Sequence, residues 1–310
     1  MGALEKKGGF AGDIASVRCV RIPPSPPRYS WIQALLKQCF KRIQRMMSLR
    51  HTLAAKKSFR QMANIYDQYR GPNDQVLEAL SNVVAEMKEN GKTLSLLDVG
   101  CGTGGYSIPL AVRHSLQLTG IDVSKEMLTQ AESKYPKARW LLEDYEKASF
   151  RAGSFDIVLM SYVIQHLTDL KKALQKASRL IARPNGKLII VTDDHDQFRS
   201  SPLHRFIPKA MEIDLQRFPV VEELCSYLKS INFEVLIYRV GKDERISNEE
   251  EVKRLLERVR ARCISTLTLL TDEELQKGLE EMEIRLKEEL KHGAITRRRE
   301  RTILLANPLR

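Results

Sequence analysis

The feature that most constrains the fold is a glycine-rich turn, GCGTGG at residues 100–105, which directly follows an apolar run. The run Leu94–Val99 predicts a buried strand, and Tyr106–His114 predicts a helix. Glycine lets the backbone turn sharply and approach a ligand closely, and the start of a helix supplies N–H groups without intrahelical partners. The sequence therefore predicts a nucleotide-binding corner of strand, turn and helix.

The spacing of the glycines fits two patterns. Gly100, Gly102 and Gly105 match G-x-G-x-x-G, which is typical of dinucleotide-binding folds. Asp98, Gly100, Gly102 and Gly104 match D-x-G-x-G-x-G. The turn alone does not choose between the two patterns, and a nicotinamide dehydrogenase remains an alternative at this point.

Polar side chains follow each of the next predicted strands. In an open α/β sheet the carboxyl ends of the strands form the ligand crevice, so these side chains are candidates for binding. The apolar run Leu116–Ile121 ends at Asp122, Ala138–Leu142 leads to Asp144 and Tyr145, and Phe155–Met160 leads to Ser161.

Several motifs in order resemble the class I S-adenosylmethionine-dependent methyltransferases. The matching stretches are LLDVGCGTGG at 96–105, GIDVSKEML at 120–128, the segment 141–169, and RPNGKLIIV at 183–191. The resemblance covers residues 59–238 and implies a Rossmann-like, doubly wound α/β fold. It implies a mostly parallel seven-stranded sheet with an antiparallel last strand, and helical cap insertions beside it.

The resemblance also implies how S-adenosylmethionine would bind. The backbone of Gly100, Cys101, Gly102 and Gly104 would pass beside its amino acid and ribose parts. Asp98 would hold the ammonium directly or through water, Asp122 the ribose diol, and Asp144 the adenine amino group. Val123 and Tyr145 would flank the adenine ring, Ser161 would face the sulfonium, and Tyr66 and Arg70 would reach the methionine part.

Alternation of predicted strands and helices supports a parallel sheet with right-handed crossovers. The predicted helices are Lys125–Tyr135, Leu167–Ile181 and Pro219–Ile231, and the remaining strands are Lys187–Thr192, Phe233–Val240 and Arg301–Ala306. The five cysteines include no C-x-x-C pair, which favours a reducing compartment and no metal centre.

The positive charge of the chain is concentrated near its start. Residues 1–60 hold 13 Lys or Arg and two acids, whereas the other 250 residues hold 38 basic and 37 acidic side chains. We predict a partly disordered basic extension at 1–50, with an amphipathic helix at 31–49. That helix could touch a membrane surface, act as a mitochondrial targeting segment, or pack on the domain. We favour a cytoplasmic protein, with a mitochondrial location as the alternative.

Two stretches of the predicted methyltransferase domain at 51–310 have the lengths of insertions. Residues 199–218 connect the fifth strand to its helix, and residues 247–292 interrupt the last strands with two predicted helices. Thr271 and Glu274 are spaced as a capping box for the second helix. We predict that both insertions form a cap over the acceptor pocket; the alternative is an insertion that packs on the surface or forms a dimer face.

Two histidines are candidate bases, although the sequence does not single one out. His166 follows the fourth strand, and His195 lies in the stretch DDHD after the fifth, with His204 in the next loop. Carboxylates beside His195 would raise its pKa, or would instead suit a divalent cation. Cys101 has no neighbouring histidine or lysine, so a nucleophilic role is not predicted.

The sequence thus predicts methyl transfer from S-adenosylmethionine to an O, N or C atom of a small molecule. One alternative is an RNA or protein methyltransferase that holds its substrate with the basic extension, although a nearly neutral core does not favour nucleic acid. Another is a cofactor-binding or scaffold protein without catalysis. The sequence leaves the acceptor and the oligomeric state open.

Overall fold

The computed structural model describes residues 63, 66–88, 92–182, 184–241, 243–298 and 300–309. The predicted basic extension at 1–50, including the helix at 31–49, lies outside these residues, so its membrane and targeting roles stay predictions. Within the described ranges, none of the helices combines the length and the apolar character that a membrane span needs.

A seven-stranded sheet forms the centre of the fold. Its spatial order is β3-β2-β1-β4-β5-β9-β6, and only β9 runs antiparallel to its neighbours. The predicted fold class is therefore confirmed. The strands are β1 (Ser95–Val99), β2 (Gln117–Asp122), β3 (Arg139–Leu142), β4 (Ile157–Ser161), β5 (Lys187–Thr192), β6 (Phe233–Val240) and β9 (Arg301–Pro308). A separate two-stranded ladder contains β7 (Asp243–Ile246) and β8 (Ile295–Arg298).

In the part of the chain that the structure describes, five helices cover the two faces of the sheet, and five further helices lie outside this arrangement. Those beside the sheet are α1 (Asp74–Met87), α2 (Ser107–His114), α3 (Lys125–Lys134), α4 (Leu170–Leu180) and α8 (Val221–Ser230). The others are α5 (His195–Arg199), α6 (Pro202–Phe206), α7 (Pro208–Arg217), α9 (Glu249–Arg260) and α10 (Asp272–Lys291). Short 3-10 turns span Ile164–His166 and Ser265–Leu269.

Burial on both faces explains why the central strands are almost uniformly apolar. Leu97 and Val99 of β1 belong to the hydrophobic cluster under α4 and α8, whereas Leu96 belongs to the opposite cluster under α1 and α2. For this reason, the sequences of parallel strands with helices on both sides are continuous apolar runs. In the register, Asp98 pairs with Gly120 and Val99 with Ile121, so the turn after β1 and the end of β2 lie side by side.

We use "the cap" for residues 195–217 and 243–298. Its two segments share a hydrophobic cluster of their own, to which α6 contributes Leu203, α9 contributes Leu256 and α10 contributes Met282. The predicted capping box is confirmed: the Thr271 hydroxyl accepts from the Glu274 amide at 3.1 Å, and the Glu274 carboxylate accepts from the Thr271 amide at 2.9 Å.

The chain from 295 to 298 forms a strand that no pattern in the sequence indicates, β8, which pairs antiparallel with β7. The ladder matches Asp243 with Arg298 and Ile246 with Ile295. Ile246 and Ile295 are both buried in the cluster of the cap, so packing overrides the polar pattern of this stretch.

Candidate functional site

The glycine turn adopts a conformation that requires glycine at three of its positions. Gly100, Gly102 and Gly104 have φ angles of +64°, +53° and +76°, a region that costs other residues about 1–2 kcal/mol. A Cβ atom on Gly100 would meet Val163 at 2.3 Å, whereas a Cβ on Gly102 would meet nothing within 4 Å. The turn is thus packed from behind at Gly100 and open toward the crevice at Gly102.

Asp122 ends β2 directly beside this turn. Its Oδ2 accepts a hydrogen bond from the Gly102 amide at 2.8 Å, and its Oδ1 accepts one from the Ser124 amide at 2.8 Å. Burial raises the pKa of this carboxyl, although the backbone N–H groups of Ser124 and Gly102 oppose the shift. Each oxygen keeps a lone pair for one further donor. The two oxygens together can therefore accept one hydrogen bond from each of the two hydroxyls of a ribose diol.

Asp98 lies behind the turn, in the interior of β1. Its side chain is 1% exposed, and its Oδ1 has no hydrogen-bond partner among the residues that the structure describes. Burial raises its pKa to about 7; the Ser107 hydroxyl opposes this shift, and Asp122 adds to it. Asp98 is not among the residues that line the crevice, so its predicted contact with an ammonium group would pass through water or the backbone.

The residues predicted for the adenine end lie at the ends of β2 and β3. Val123 is 39% exposed and lines the crevice beside Asp144. The Asp144 Oδ1 accepts from the Glu146 amide at 3.0 Å. Tyr145 also borders the crevice, but its side chain is 5% exposed and its hydroxyl donates to the Ala173 carbonyl at 3.2 Å. The ring of Tyr145 therefore packs in the core under α4, whereas the side chain of Val123 is partly exposed.

The helical turn at 66–69 lies across the glycine turn. The Thr103 hydroxyl donates to Asp67 Oδ1 at 2.6 Å, and Lys134 of α3 pairs with Asp67 Oδ2 at 2.8 Å. Tyr66 and Arg70 both line the crevice. The predicted contact of these two side chains with the methionine part of a cofactor stays a prediction.

A cluster of polar side chains lies at the ends of β4, β5 and β9; the sequence indicated Arg70 but neither Tyr162 nor Arg301 as site residues. Arg301 pairs with Asp193 at 3.3 Å, and the Arg70 guanidinium carbon lies 5.8 Å from the ring centroid of Tyr162. Burial raises the pKa of Tyr162 well above its usual value, so this phenol stays a donor. Tyr162 directly follows Ser161, the last residue of β4, and both line the crevice. Pairing β9 between β5 and β6 brings Arg301 here, which no local pattern indicates.

A single crevice of about 690 Å³ joins the glycine turn to the cap. A volume of this order matches small-molecule and cofactor sites. The walls that the cap provides are mixed. Six of the described lining residues are apolar (Phe198, Pro202, Leu203, Leu255, Val259 and Ile264), and seven are polar or charged (Gln197, Ser201, His204, Asp214, Arg258, Ser265 and Thr266). Both predicted cap segments thus contribute to the crevice.

The structure separates the two predicted histidines. His166 lines the crevice, and its Nδ1 lies 3.4 Å from the Arg217 guanidinium. His195 is not among the lining residues, and its Nε2 lies 3.0 Å from the Phe218 carbonyl oxygen. The acids around His195 each face an arginine: Asp193 faces Arg301, Asp194 faces Arg239 and Asp196 faces Arg199. In the described part of the chain, no three metal-ligating side chains cluster.

His204, in α6, is the histidine that sequence reasoning passed over. Its Nε2 lies 2.9 Å from Asp214 Oδ2, and both side chains are nearly inaccessible. Both residues also line the crevice. They are ten positions apart on different helices, so neither helical nor strand spacing predicts the pair.

Cys101 lies in the glycine turn, and its thiol is not activated as a nucleophile. Its amide donates to the Ile121 carbonyl at 3.2 Å. Burial raises the pKa of its thiol well above the usual value, and Asp98 and Asp122 add to the shift. The thiol therefore stays protonated, which makes it a poor nucleophile.

Substituting Gly102 by alanine tests whether the open face of the turn holds a ligand. The added methyl group enters free space in the protein alone, so only the positive φ should cost stability, about 1 kcal/mol. A bound cofactor would meet the methyl group, and we expect its affinity to fall at least tenfold in a calorimetric titration. Gly153 is the matched control, since it has a φ of +67°, no atom within 4 Å of its Cβ position and no place in the crevice. Equal affinities of Gly102→Ala and Gly153→Ala would contradict the assignment.

The comparisons with known proteins agree with this geometry. Residues 97–190 match a family model described as a methyltransferase domain. A demethylmenaquinone methyltransferase from Tropheryma whipplei is 29% identical over 164 residues, which are 50% of this chain and 66% of that protein. An O-methyltransferase from Aspergillus sclerotiorum is 36% identical over 101 residues, 31% of this chain and 38% of that protein. The chain thus matches less than two thirds of the length of each of these relatives.

Solved structures share the fold over a larger part of the chain. A protein from Anabaena variabilis, provisionally assigned as a methyltransferase of an antibiotic biosynthesis pathway, superposes with a TM-score of 0.59. It is 24% identical, and the match covers 76% of this chain and 98% of that one. At this identity the likeness concerns the fold.

Proposed function

We propose that this chain, whose residues 97–190 match a methyltransferase domain, is a class I S-adenosylmethionine-dependent methyltransferase that transfers the methyl group to an O, N or C atom of a small molecule. The observation that supports this most is the single crevice that runs from Gly102 and Asp122 to the walls of the cap. A cofactor on the glycine turn and an acceptor under the cap would share one enclosed space.

The residues of the turn fit S-adenosylmethionine. Space at Gly102 and two oxygens of Asp122 with free lone pairs suit a ligand with a diol. The buried Asp98 Oδ1, unpaired among the described residues, would act on an ammonium group through water or the backbone, because Asp98 does not line the crevice. The cofactor would supply an electrophilic methyl group, and the protein's task would be to hold a nucleophile in line with it. Proximity and orientation of this kind account for much of the rate of such reactions.

An enclosed crevice whose wall includes apolar side chains favours a small acceptor over a polymer. The cap closes over the strand ends with side chains such as Phe198 and Leu255, and one of the relatives named above has a small molecule as the substrate in its name. That relative is the demethylmenaquinone methyltransferase. The acceptor of this chain is not fixed by these likenesses.

A binding and transfer experiment tests the proposal. Calorimetric titration with S-adenosylmethionine and, separately, with NAD should give micromolar binding of the first and none of the second. Incubation with the radiolabelled cofactor and a panel of phenols, carboxylic acids, amines and quinones should then label one class. Binding of NAD alone would overturn the proposal. Cofactor binding without label transfer to any compound in the panel or to a cell extract would favour the non-catalytic alternative.

A further inference from the structure

We propose that His204, oriented by Asp214, is the general base of this crevice, and that the acceptor is a weakly acidic hydroxyl compound such as a phenol or an enol. This inference rests on the proposed methyl transfer and adds to it a base and a substrate class. It arises from a buried pair of side chains that the cap brings to the crevice wall.

The pair fixes which ring nitrogen of His204 carries hydrogen. Asp214 Oδ2 lies 2.9 Å from Nε2, and an ionised carboxylate only accepts hydrogen bonds. The hydrogen of the neutral ring therefore sits on Nε2, and Nδ1 presents its lone pair. Nδ1 is buried and has no hydrogen-bond partner among the described residues. Leaving a buried acceptor unpaired costs stability, and a donor from a bound substrate would recover that loss.

Asp214 is held firmly enough to orient the ring. Its Oδ1 accepts a hydrogen bond from the Thr266 hydroxyl and lies 3.7 Å from the Arg217 guanidinium. Arg217 in turn donates to the hydroxyls of Thr266 and Ser265, each at 3.1 Å. These contacts fix the position of the Asp214 carboxylate. The two segments of the cap thus meet around one carboxylate, whose remaining contact is His204.

The surroundings of the pair select the class of acceptor. The ring centroid of Phe198 lies 4.8 Å from that of His204, and Phe218 packs edge-on against Phe198 at 4.9 Å. Such walls favour a neutral, aromatic or unsaturated body. A carboxylic acid is ionised at neutral pH and needs no base, and a protonated amine would lose its hydration shell among these rings. A phenol or enol is neutral when it binds and must lose its proton before or during transfer.

The step balances without a further reactant. The hydroxyl proton moves to Nδ1 of His204 as the oxygen lone pair forms a bond to the methyl carbon. The bond between that carbon and the sulfonium breaks, and its electron pair stays on sulfur, which gives S-adenosylhomocysteine and a methyl ether. The imidazolium is stabilised by Asp214 and returns its proton to water.

Kinetics of His204→Gln and Asp214→Asn test the base. With phenols and enols as acceptors, we expect kcat to fall about 100-fold to 10,000-fold for His204→Gln and at least tenfold for Asp214→Asn. Log kcat of the wild-type protein should rise with pH to a plateau, and this rise should disappear in His204→Gln. The affinity for S-adenosylmethionine should stay unchanged, which also reports that the variant is folded. His292→Gln, at the exposed end of α10, is the control and should match the wild-type protein.

A second measurement needs no acceptor. In ¹⁵N-histidine-labelled protein, long-range proton–nitrogen spectra should show His204, identified by its loss in His204→Gln, with hydrogen on Nε2 and none on Nδ1. Hydrogen on Nδ1 at pH 7 would overturn the proposal. So would methyl transfer by His204→Gln at the wild-type rate, or labelling of amines and no hydroxyl compound. In those cases cofactor binding and transfer would persist, whereas failure of the proposed function would appear as absence of cofactor binding or of any transfer.

Discussion

Replacing Asp122 by alanine is expected to lower the affinity for S-adenosylmethionine about 100-fold or more. The two carboxylate oxygens each hold one backbone N–H, from Gly102 and Ser124, and each has room for one ribose hydroxyl. A hydrogen bond to a charged group contributes about 1.5–3 kcal/mol, and 1.4 kcal/mol corresponds to a tenfold change in affinity. Two such bonds therefore amount to at least 100-fold. Calorimetric titration of both proteins at one pH gives the ratio.

The control for this substitution is another carboxylate that receives backbone N–H groups but lies outside the crevice. Asp169 caps α4 and accepts from the Lys172 amide at 3.1 Å, and it does not line the crevice. Asp169→Ala should lose about 1 kcal/mol of stability and keep the wild-type affinity. An affinity of Asp122→Ala within threefold of the wild-type value would show that the ribose is not held there.

Replacing Asp98 by asparagine is expected to stabilise the cofactor-free protein above pH 7. Burial raises the pKa of this carboxyl from its ordinary value of 3.8 to about 7, so the folded protein retains a proton that the unfolded chain releases. Between these two values stability falls as pH rises, by about 1.4 kcal/mol per unit. The full interval corresponds to about 4 kcal/mol, which the uncharged asparagine does not lose.

Thermal or urea unfolding across pH measures this effect. The contribution of Asp98 to the stability of the wild-type protein should be largest near pH 4, where Asp98→Asn should have the same stability. At pH 8 the variant should be more stable, with a Tm roughly 8 °C above that of the wild-type protein. The affinity for S-adenosylmethionine should show the opposite pattern, because the cation favours the ionised carboxylate. It should rise with pH through about 7 in the wild-type protein and stay flat in the variant. Identical unfolding curves at pH 8 would contradict the prediction.

Asp156→Asn is a control for which the expected change in stability has the opposite sign. Burial raises its pKa, but hydrogen bonds from Lys92 and Ser95 outweigh burial, and the pKa lies below the ordinary value. Its contribution to stability is present above the ordinary value near 4 and is lost as pH falls through the lowered pKa. Asp156→Asn should therefore destabilise the protein at pH 7, where Asp98→Asn stabilises it.

Strong local patterns allowed most of the sheet to be predicted. The strands Lys187–Thr192 and Phe233–Val240 begin and end where the sequence places them, because both have sharp boundaries in polarity. The first strand differs by one residue, since it begins at Ser95 and not at Leu94. The predicted helix Leu167–Ile181 begins only at Leu170, because Asp169 caps it through the Lys172 amide.

Long-range contacts account for what the sequence did not reveal. The pair of His204 and Asp214 forms because α6 packs against α7. The ion pair of Asp193 and Arg301 forms because β9 lies beside β5. No periodic pattern of residues along the chain indicates either contact. The cofactor residues were predictable because they follow consecutive strands, whereas acceptor residues come from segments that fold onto each other.

The ladder of β7 and β8 has a consequence for how such proteins diverge. Most of the cap departs from the end of β6 and returns at the start of β9, two strands that pair over their whole length, from Phe233 with Pro308 to Val240 with Arg301. Mutations, insertions or replacements beyond this ladder leave that pairing and the glycine turn untouched. Evolution could therefore exchange the acceptor specificity of this scaffold while its cofactor chemistry is inherited unchanged.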